Sequence, residues 1–327
     1  MSCQTEKLKR MRRLLRLLKN PYRSIQSVKL RVKFRQRKIT MGSDYPDKIF
    51  YVIRRIPPGE GMFSNIHNIM AHIKYAVNNH WVPLIDMQNY ATRYDMSVPI
   101  MGSKNTWEHL FEQPFNYTLD MILHAKNIIL SSGYDLPDAD IVSECIFDEN
   151  KIKNNNQIMS KYIRLKKNIL EEVRLKKNMV LSNRRVLGVF LRGTDYNSKA
   201  KRLRDHQIQP RLQYVIDDAK KYLHLWRCDA LFLVTEDADI SLAFKKTFGD
   251  KVILLPKDRV NSYHGESNPI NHLQIDRYSH SVEYITEINI LSCCDCFLGS
   301  MAGGSIAAFE LRGKHYDNQY IYNIGKH

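Results

Sequence analysis

The sequence lacks several patterns that would assign it to a familiar class. None of its apolar runs approaches the roughly 20 residues that cross a bilayer. The sequence does not start with the charged residues, apolar run and small-residue cleavage site of a signal peptide, so export is not expected. The absence of a G-x-x-x-x-G-K-[ST] motif excludes a P-loop kinase. No G-x-G-x-x-G with a downstream acid follows a strand, so a dehydrogenase is poorly supported.

The six cysteines lack the paired C-x-x-C spacing of a zinc site. Three of them, Cys293, Cys294 and Cys296, crowd into the apolar segment "SCCDCF". Adjacent cysteines in such a segment are more often small buried hydrophobes than metal ligands. We therefore expect these three side chains to be buried and the compartment to be the reducing cytoplasm.

What the chain has in excess is positive charge. Lys and Arg number 50 against 34 Asp and Glu, a net charge of +16, which favours anionic partners. Much of the excess lies in residues 1–44, where Leu8, Met11, Leu15 and Leu18 share one helical face among cations. This segment predicts a basic amphipathic helix on an anionic membrane surface.

Two other interpretations of that segment stay open: a helix docked on the protein's own surface, and a disordered basic tail. A nucleic-acid partner is not expected, because no zinc-finger, homeodomain or RNP-like pattern accompanies the charge.

Residues 45–178 open as a parallel α/β domain. The strand-like "KIFYVIRRI" leads through "PPGEG" into the helical "MFSNIHNIMAHIKYAVNNH" and the strand "WVPLIDM". Gly61 lets the backbone approach a ligand at a helix N-terminus, and Asn65 adds an amide, although such turns are commonly only turns. His67 and His72 are expected at the surface or the edge of the core. The later part of this half, residues 151–178, predicts one long helix.

In residues 179–327 strand and helix patterns alternate, which predicts a doubly wound, Rossmann-like domain. Ligands bind outside the carboxyl ends of such strands. The candidate site residues at those ends are Arg192, Asp195, Thr235, Glu236, Asp237, Ser300, Gly303, Gly304 and Ser305.

The chemistry of this set suits a nucleotide diphosphate. The planar guanidinium of Arg192 can bind two phosphate oxygens with charge-assisted bonds. The glycines of "GSMAGGS" would let backbone N–H groups at a helix N-terminus meet the second phosphate. The alternative is that Arg192 pairs structurally with Asp195 and the glycines only permit close packing.

Two Asp-Ala-Asp triplets, at Asp138–Asp140 and Asp237–Asp239, could hold a divalent metal on a nucleotide sugar. Each lies ahead of a segment with helical character, so we expect them to cap helices instead.

The motifs of residues 47–325 resemble those of the GT-B fucosyltransferase superfamily, which includes the α1,6-, α1,2- and protein O-fucosyltransferases. The segment "FLRGTDY" is similar to the His-x-Arg-Arg-Thr-Asp-like strand end of the α1,6 type, with Phe190 and Gly193 at the two positions that differ. "TEDADISLAFKK" resembles the Thr-Asp-Asp motif before a helix. "DRYSHSVEYITEINILSCCDCFLGSMAGGS" resembles a third motif, in which Glu287 would be the acid.

The resemblance implies a GT-B-like fold of two Rossmann-like domains facing a cleft, with residues 45–178 on the acceptor side and 179–327 on the donor side. It also implies GDP-fucose as donor, inversion at the anomeric carbon and no metal. In the α1,6 type a glutamate stands five residues before a proline, and the same count back from Pro210 gives Asp205 as the general base. Asp195 is the next candidate, and His206 is an alternative base.

The sequence therefore predicts an inverting, metal-independent glycosyltransferase without a cofactor. Its expected acceptor is a glycan or lipid-linked glycan precursor, and its expected place is the cytoplasmic face of the cell membrane. The alternatives are a metal-dependent glycosyltransferase with another nucleotide sugar and, from another class, a basic nucleic-acid-binding protein.

Overall fold

The computed structural model describes residues 29–30, 32–56, 61–90, 99–100, 102–133, 146–193, 207–259 and 276–325. These residues form a mixed α/β structure with two sheets. The strands of the first sheet run in the order β1-β4-β2-β3. β2, β3 and β4 are parallel and β1 is antiparallel at one edge. The four strands are β1 (Arg37–Ile39), β2 (Phe50–Ile53), β3 (Val82–Ile85) and β4 (Ile128–Leu130).

The strand β1 lies inside the segment predicted as an N-terminal extension. Phe34, just before β1, is 1% exposed and packs its ring against Tyr90 and the guanidinium of Arg54. The predicted amphipathic stripe from Leu8 to Leu18 lies outside the described residues.

Two helices connect strands of the first sheet. The helix α1 (Met62–Asn78) buries Ile66, Ile69 and Ile73, the residues that recur at helical spacing. A short helix, α2 (Thr106–Leu110), is capped by the Asn105 side chain, which accepts a hydrogen bond from the Trp107 N–H.

The single long helix predicted over residues 151–178 is wrong. The chain forms α3 (Glu149–Tyr162) and α4 (Lys167–Leu181) with an extended turn between them. In that turn the Arg164 carbonyl accepts from the Glu112 N–H at 2.8 Å, and the Lys166 N–H donates to the Leu110 carbonyl at 3.0 Å. These backbone bonds replace the helical ones, so the helix breaks where the chain pairs with a distant segment.

The second sheet is parallel throughout, and its strand order is β7-β6-β5-β8-β9. The order reverses between β5 and β8, which is the arrangement of a doubly wound sheet. Its strands are β5 (Val186–Phe190), β6 (Ala230–Val234), β7 (Val252–Ile253), β8 (Cys296–Ser300) and β9 (Asn318–Tyr322).

Helices cover both faces of this sheet, because alternate side chains of β5 pack against helices on opposite faces. Leu187 and Val189 pack in one cluster with residues of α5 (Leu212–Leu225) and α6 (Ala238–Phe248). Val186 and Phe190 point to the other face, into a cluster with α7 (Arg277–Ser292) and α8 (Gly303–Arg312). α8 ends at Gly313 in the left-handed conformation that glycine adopts at low cost.

A buried polar bridge fastens α1 to α8. His67 Nε2 lies 2.6 Å from Glu310 Oε2, with side chains 5% and 0% exposed, and Asn155 of α3 donates to the other carboxylate oxygen at 2.7 Å. The surface or edge placement predicted for His67 and His72 is wrong. Both are buried, and His72 Nδ1 lies 2.9 Å from the Tyr51 hydroxyl, because buried imidazoles are tolerated where a partner is present.

The cysteine prediction holds in part. Cys294 and Cys296 are buried, as is Cys228, whereas Cys293 is exposed because it directly follows the last residue of α7 and faces outward. Among the helices in the described ranges, none combines the length and the apolar character that crossing a bilayer requires.

Candidate active site

The candidate site lies where β5, β6, β7 and β8 end. Because these strands are parallel, their carboxyl ends share one edge of the sheet. Arg192 follows β5 by two residues, Thr235 to Asp237 follow β6, and Lys257 comes shortly after β7. α8 begins after β8, across the point where the strand order reverses.

Arg192 is held in place by a carboxylate from the neighbouring strand end. Its Nη1 lies 3.2 Å from Glu236 Oε2, and the two side chains are 21% and 16% exposed. The guanidinium is therefore oriented by Glu236 and still reachable from solvent. A diphosphate would meet a preorganised cation at this position.

Arg192 and Glu236 form one wall of a narrow pocket of about 30 Å³. The rest of its polar lining comes from Thr235, Lys257, His280, Tyr284 and Glu287. Lys257 Nζ lies 2.6 Å from Glu287 Oε2, with side chains 3% and 0% exposed. A second cation, Arg259, approaches the other oxygen of Glu287 at 3.8 Å. Two cations therefore line the pocket, Arg192 paired with Glu236 and Lys257 paired with Glu287.

His280 shares this pocket with both cations. Burial is the main reason that its pKa is lowered to about 4, and the charges of Lys257 and Arg192 lower it further, while Asp258 acts in the opposite direction. The imidazole is therefore neutral at pH 7. Its buried Nδ1 has no hydrogen-bond partner within the described part of the chain.

The N-terminus of α8 closes against the end of β5 because residue 304 is glycine. A Cβ at Gly304 would lie 2.6 Å from the Tyr284 hydroxyl and 2.8 Å from the ring of Phe190. At Gly303 a Cβ would make ordinary contacts of 3.6 Å with Phe63 and Ser64. Gly303 therefore lies against the first turn of α1, so the amino ends of two helices meet here.

Both of these helix ends present backbone N–H groups without a side-chain acceptor from the N-cap residue. The N-cap of α1 is Gly61, and the N-cap of α8 is Ala302. Asn65, one turn into α1, is buried. The predicted residues Gly61, Asn65, Gly303 and Gly304 are thus brought to one region, and such helix ends favour anions.

Other predicted residues hold the turns of the site together. The Ser305 hydroxyl accepts from the Ala302 N–H at 2.8 Å and donates to the Ser300 carbonyl at 2.7 Å. The Ser300 hydroxyl donates to the Gln209 side chain. Both serines are fully buried, so their hydroxyls shape the β8–α8 turn.

Asp237 caps α6, as expected for its Asp-Ala-Asp triplet. Its carboxylate accepts from the N–H groups of Asp239 and Ile240 at 2.8 and 3.1 Å, and the Thr235 hydroxyl accepts from the Asp237 N–H. A Cβ at Gly193 would overlap the Asp237 side chain. This explains why glycine stands where the resembled motif has its second arginine.

Three predicted elements lie outside the described residues: the candidate bases Asp195 and Asp205, the alternative base His206, and the triplet Asp138–Asp140. Within the described ranges no group of three His, Cys, Asp or Glu side chains is placed to hold a metal ion.

The sequence interpretation missed Lys257, His280 and Tyr284. Lys257 follows the apolar "VILLP" by one residue, so the rule that ligands bind at carboxyl strand ends could have found it. His280, Tyr284 and Glu287 recur at intervals of four and three residues on α7. That spacing places them on one helical face.

Several solved structures are similar to this chain. The α1,6-fucosyltransferase NodZ soaked with GDP-fucose is 12% identical, with 81% of this chain and 92% of that chain covered and a TM-score of 0.47. A mutant of Arabidopsis thaliana FUT1 in complex with GDP is 12% identical, with 84% of this chain and 70% of that chain covered and a TM-score of 0.49. POFUT1 in complex with GDP is 10% identical, covering 86% and 100%, with a TM-score of 0.45.

All three are fucosyltransferases, the superfamily that the sequence motifs resemble. No protein-family model matches the sequence, and a search of curated proteins finds no match.

Proposed function

We propose that the chain is an inverting, metal-independent glycosyltransferase that takes its sugar from a nucleotide diphosphate, with GDP-fucose as the donor. Its acceptor would be a glycan or a lipid-linked glycan precursor. The proposal depends on the residues at the carboxyl edge of the second sheet.

The observation that carries it is the placement of Arg192. This guanidinium lies at the end of β5, where the strand order reverses, and Glu236 fixes its orientation at 3.2 Å. Doubly wound sheets bind their ligands at this position. A bidentate guanidinium suits two oxygens of a diphosphate better than the point charge of a lysine.

Other hydrogen-bond donors are available for the second phosphate group. Gly304 lets the N-terminus of α8 pack against Phe190, two residues before Arg192. The backbone N–H groups of the first turn and the helix dipole favour a negative charge there. Lys257 and neutral His280, at the same pocket, supply further N–H donors.

The proposed transfer is a single displacement. The acceptor oxygen forms a bond to the anomeric carbon while the bond from that carbon to the phosphate oxygen breaks, and its electron pair stays with the departing diphosphate. The acceptor proton passes to a carboxylate, for which Asp205 is the first candidate and Asp195 the second. Arg192 would stabilise the charge that grows on the leaving group.

Among the described carboxylates at the pocket, Glu287 is not proposed as the base. Its side chain is fully buried and its Oε2 is bound to Lys257 at 2.6 Å. A carboxylate that takes the acceptor proton must reach the acceptor hydroxyl. We assign Glu287 the role of positioning Lys257.

A panel of nucleotide sugars tests the donor class. Melting temperatures of the full chain would be measured with GDP-fucose, GDP, UDP-sugars and CMP-sugars, with and without EDTA. Stabilisation by GDP and GDP-fucose alone, unchanged by EDTA, is the expected result. Stabilisation by another nucleotide class would refute GDP-fucose. Transfer that collapses in EDTA and returns with manganese would favour the metal-dependent alternative.

A further inference from the structure

A second, larger cavity lies next to the pocket that Arg192 lines. It encloses about 640 Å³, within the roughly 300–1,000 Å³ typical of small-molecule sites. Phe63 lines this cavity and Tyr284 lines the pocket. Their rings pack edge to face with centroids 5.3 Å apart. This ring pair is the wall that the two spaces share.

The cavity has an apolar floor. Phe63, Ile66, Met159 and Ile285 line it from α1, α3 and α7, and each of the four is at most 5% exposed. These four side chains carry no hydrogen-bonding group, so a bound sugar would leave the hydroxyls that face them unpaired. Asn289, which also lines the cavity, donates its amide N–H to the Ile285 carbonyl at 2.8 Å. A hydrocarbon group leaves no hydrogen bond unpaired in such a space and gains the burial of its apolar surface.

The mouth of the cavity has a different character. Arg164, Lys167 and Leu170, at the turn into α4, are exposed. Glu112 also lies at the lining, but its carboxylate is paired with Lys166 Nζ at 3.1 Å. Arg164 donates to the Gln113 backbone carbonyl, and neither Arg164 nor Lys167 forms a salt bridge within the described residues. The mouth is therefore positively charged.

We propose that this cavity binds the hydrocarbon chain of an anionic amphiphile, whose charged end meets Arg164 and Lys167. The apolar floor selects the chain and the two cations select the head group. Binding of the amphiphile does not depend on the proposed transfer. Its role as the sugar acceptor, suggested by the shared wall at Phe63, does rest on that proposed function.

Chain length is the first test. The full chain would be titrated calorimetrically with octanoate, decanoate and dodecanoate, each below its critical micelle concentration. Affinity should rise by up to about fourfold per methylene that enters the cavity. Equal affinities along the series, or no binding of dodecanoate, would overturn the proposal.

A matched pair of variants tests the place of binding. Leu170, which lines the cavity, and Leu175, which does not, lie on the same helix and are 56% and 52% exposed. Leu170→Glu puts a carboxylate in the mouth and should weaken dodecanoate binding at least about tenfold, whereas Leu175→Glu should leave it unchanged. Equal behaviour of the two variants, both checked by thermal unfolding, would place the ligand elsewhere.

Head-group selection is tested at Lys167, which is exposed. Lys167→Gln should weaken dodecanoate several-fold without changing the binding of the uncharged dodecyl maltoside. Dodecyl maltoside that binds the native chain as tightly as dodecanoate would contradict an anionic ligand. Arg192→Ala should not change dodecanoate affinity, which separates a failure here from a failure of the nucleotide proposal.

Discussion

Lys257 and Glu287, which both line the pocket at the end of β5, form an ion pair of 2.6 Å, with 3% and 0% of their side chains exposed. A pair this deeply buried gives little net stability, but each partner depends strongly on the other. For Glu287, expected from the sequence to be an acid of the site, the proposed role is to position the lysine that it binds.

Substitution of Glu287 tests how strongly Lys257 depends on its partner. Glu287→Gln leaves the buried ammonium of Lys257 without its counter-ion, and we expect the free energy of unfolding to fall by about 3–5 kcal/mol. Urea unfolding of the double variant Glu287→Gln/Lys257→Met should recover most of the loss. Additive losses in the double variant would contradict a coupled pair.

His280 predicts a defined pH dependence of stability. Its folded pKa of about 4 lies below the ordinary value of about 6.5, so between these values the unfolded chain binds more protons. Stability should therefore fall as the pH drops from about 6.5 towards 4, with a slope of at most about 1.4 kcal/mol per pH unit from this group. Denaturation series on the native chain and on His280→Gln measure the difference, and identical slopes would refute the assignment.

A bound diphosphate should act on the pKa of His280 in the direction opposite to burial and the neighbouring cations. Its negative charge favours the imidazolium, so the pKa of His280 should rise on addition of GDP. An NMR titration of the His280 ring signals, with and without GDP, would follow this. A pKa that GDP leaves unchanged would place the phosphates away from this pocket.

The two adjacent glycines at the start of α8 should differ sharply. Gly304→Ala drives a Cβ into the Tyr284 hydroxyl and the Phe190 ring, and we expect a loss of about 1–3 kcal/mol together with weaker nucleotide binding. Gly303→Ala meets only ordinary contacts and should be neutral or stabilising by up to about 1 kcal/mol. Chemical denaturation of the two variants makes the comparison, and equal stabilities would disprove the close approach at Gly304.

The N-terminal segment can be tested without damaging the fold. The truncation should stop at residue 28, because Phe34 is buried and Arg37–Ile39 form β1. We expect the full chain, and not the truncated one, to sediment with phosphatidylcholine vesicles that contain phosphatidylglycerol, and less so at high salt. Equal sedimentation of both would remove the membrane-surface role.

The parts of the fold that follow from local pattern could be predicted. β5, β6 and β8 are apolar runs followed by polar residues, and α1 has a clear apolar face. β1 and β9 were missed because "RKI" and "NQYIY" lie at sheet edges, where half-exposed residues hide the strand pattern. The break between α3 and α4 depends on pairing with Phe111, more than fifty residues away, which no local pattern contains.

Some residues of the candidate site could also be predicted from local pattern, and others could not. Arg192 and the residues after β6 and β8 could be placed by the rule for parallel sheets. The buried hydroxyls of Ser300 and Ser305 could not be told from ligand-binding hydroxyls, because their partners are fixed only by the folded turn. The contribution of α7 to the pocket could not be predicted, because it depends on how that helix is rotated and positioned against the sheet.

The measurement that bears most directly on the whole account is the effect of Arg192→Ala on sugar transfer. Arg185 is the matched control. It directly precedes β5, at the end of the strand opposite to Arg192, and pairs with Asp317 at 3.2 Å. With donor and acceptor saturating, Arg192→Ala should lower turnover by about 10²–10³-fold, and Arg185→Ala should leave it nearly unchanged. An Arg192→Ala protein that folds and transfers at a near-native rate would contradict the assignment of Arg192 to the leaving diphosphate.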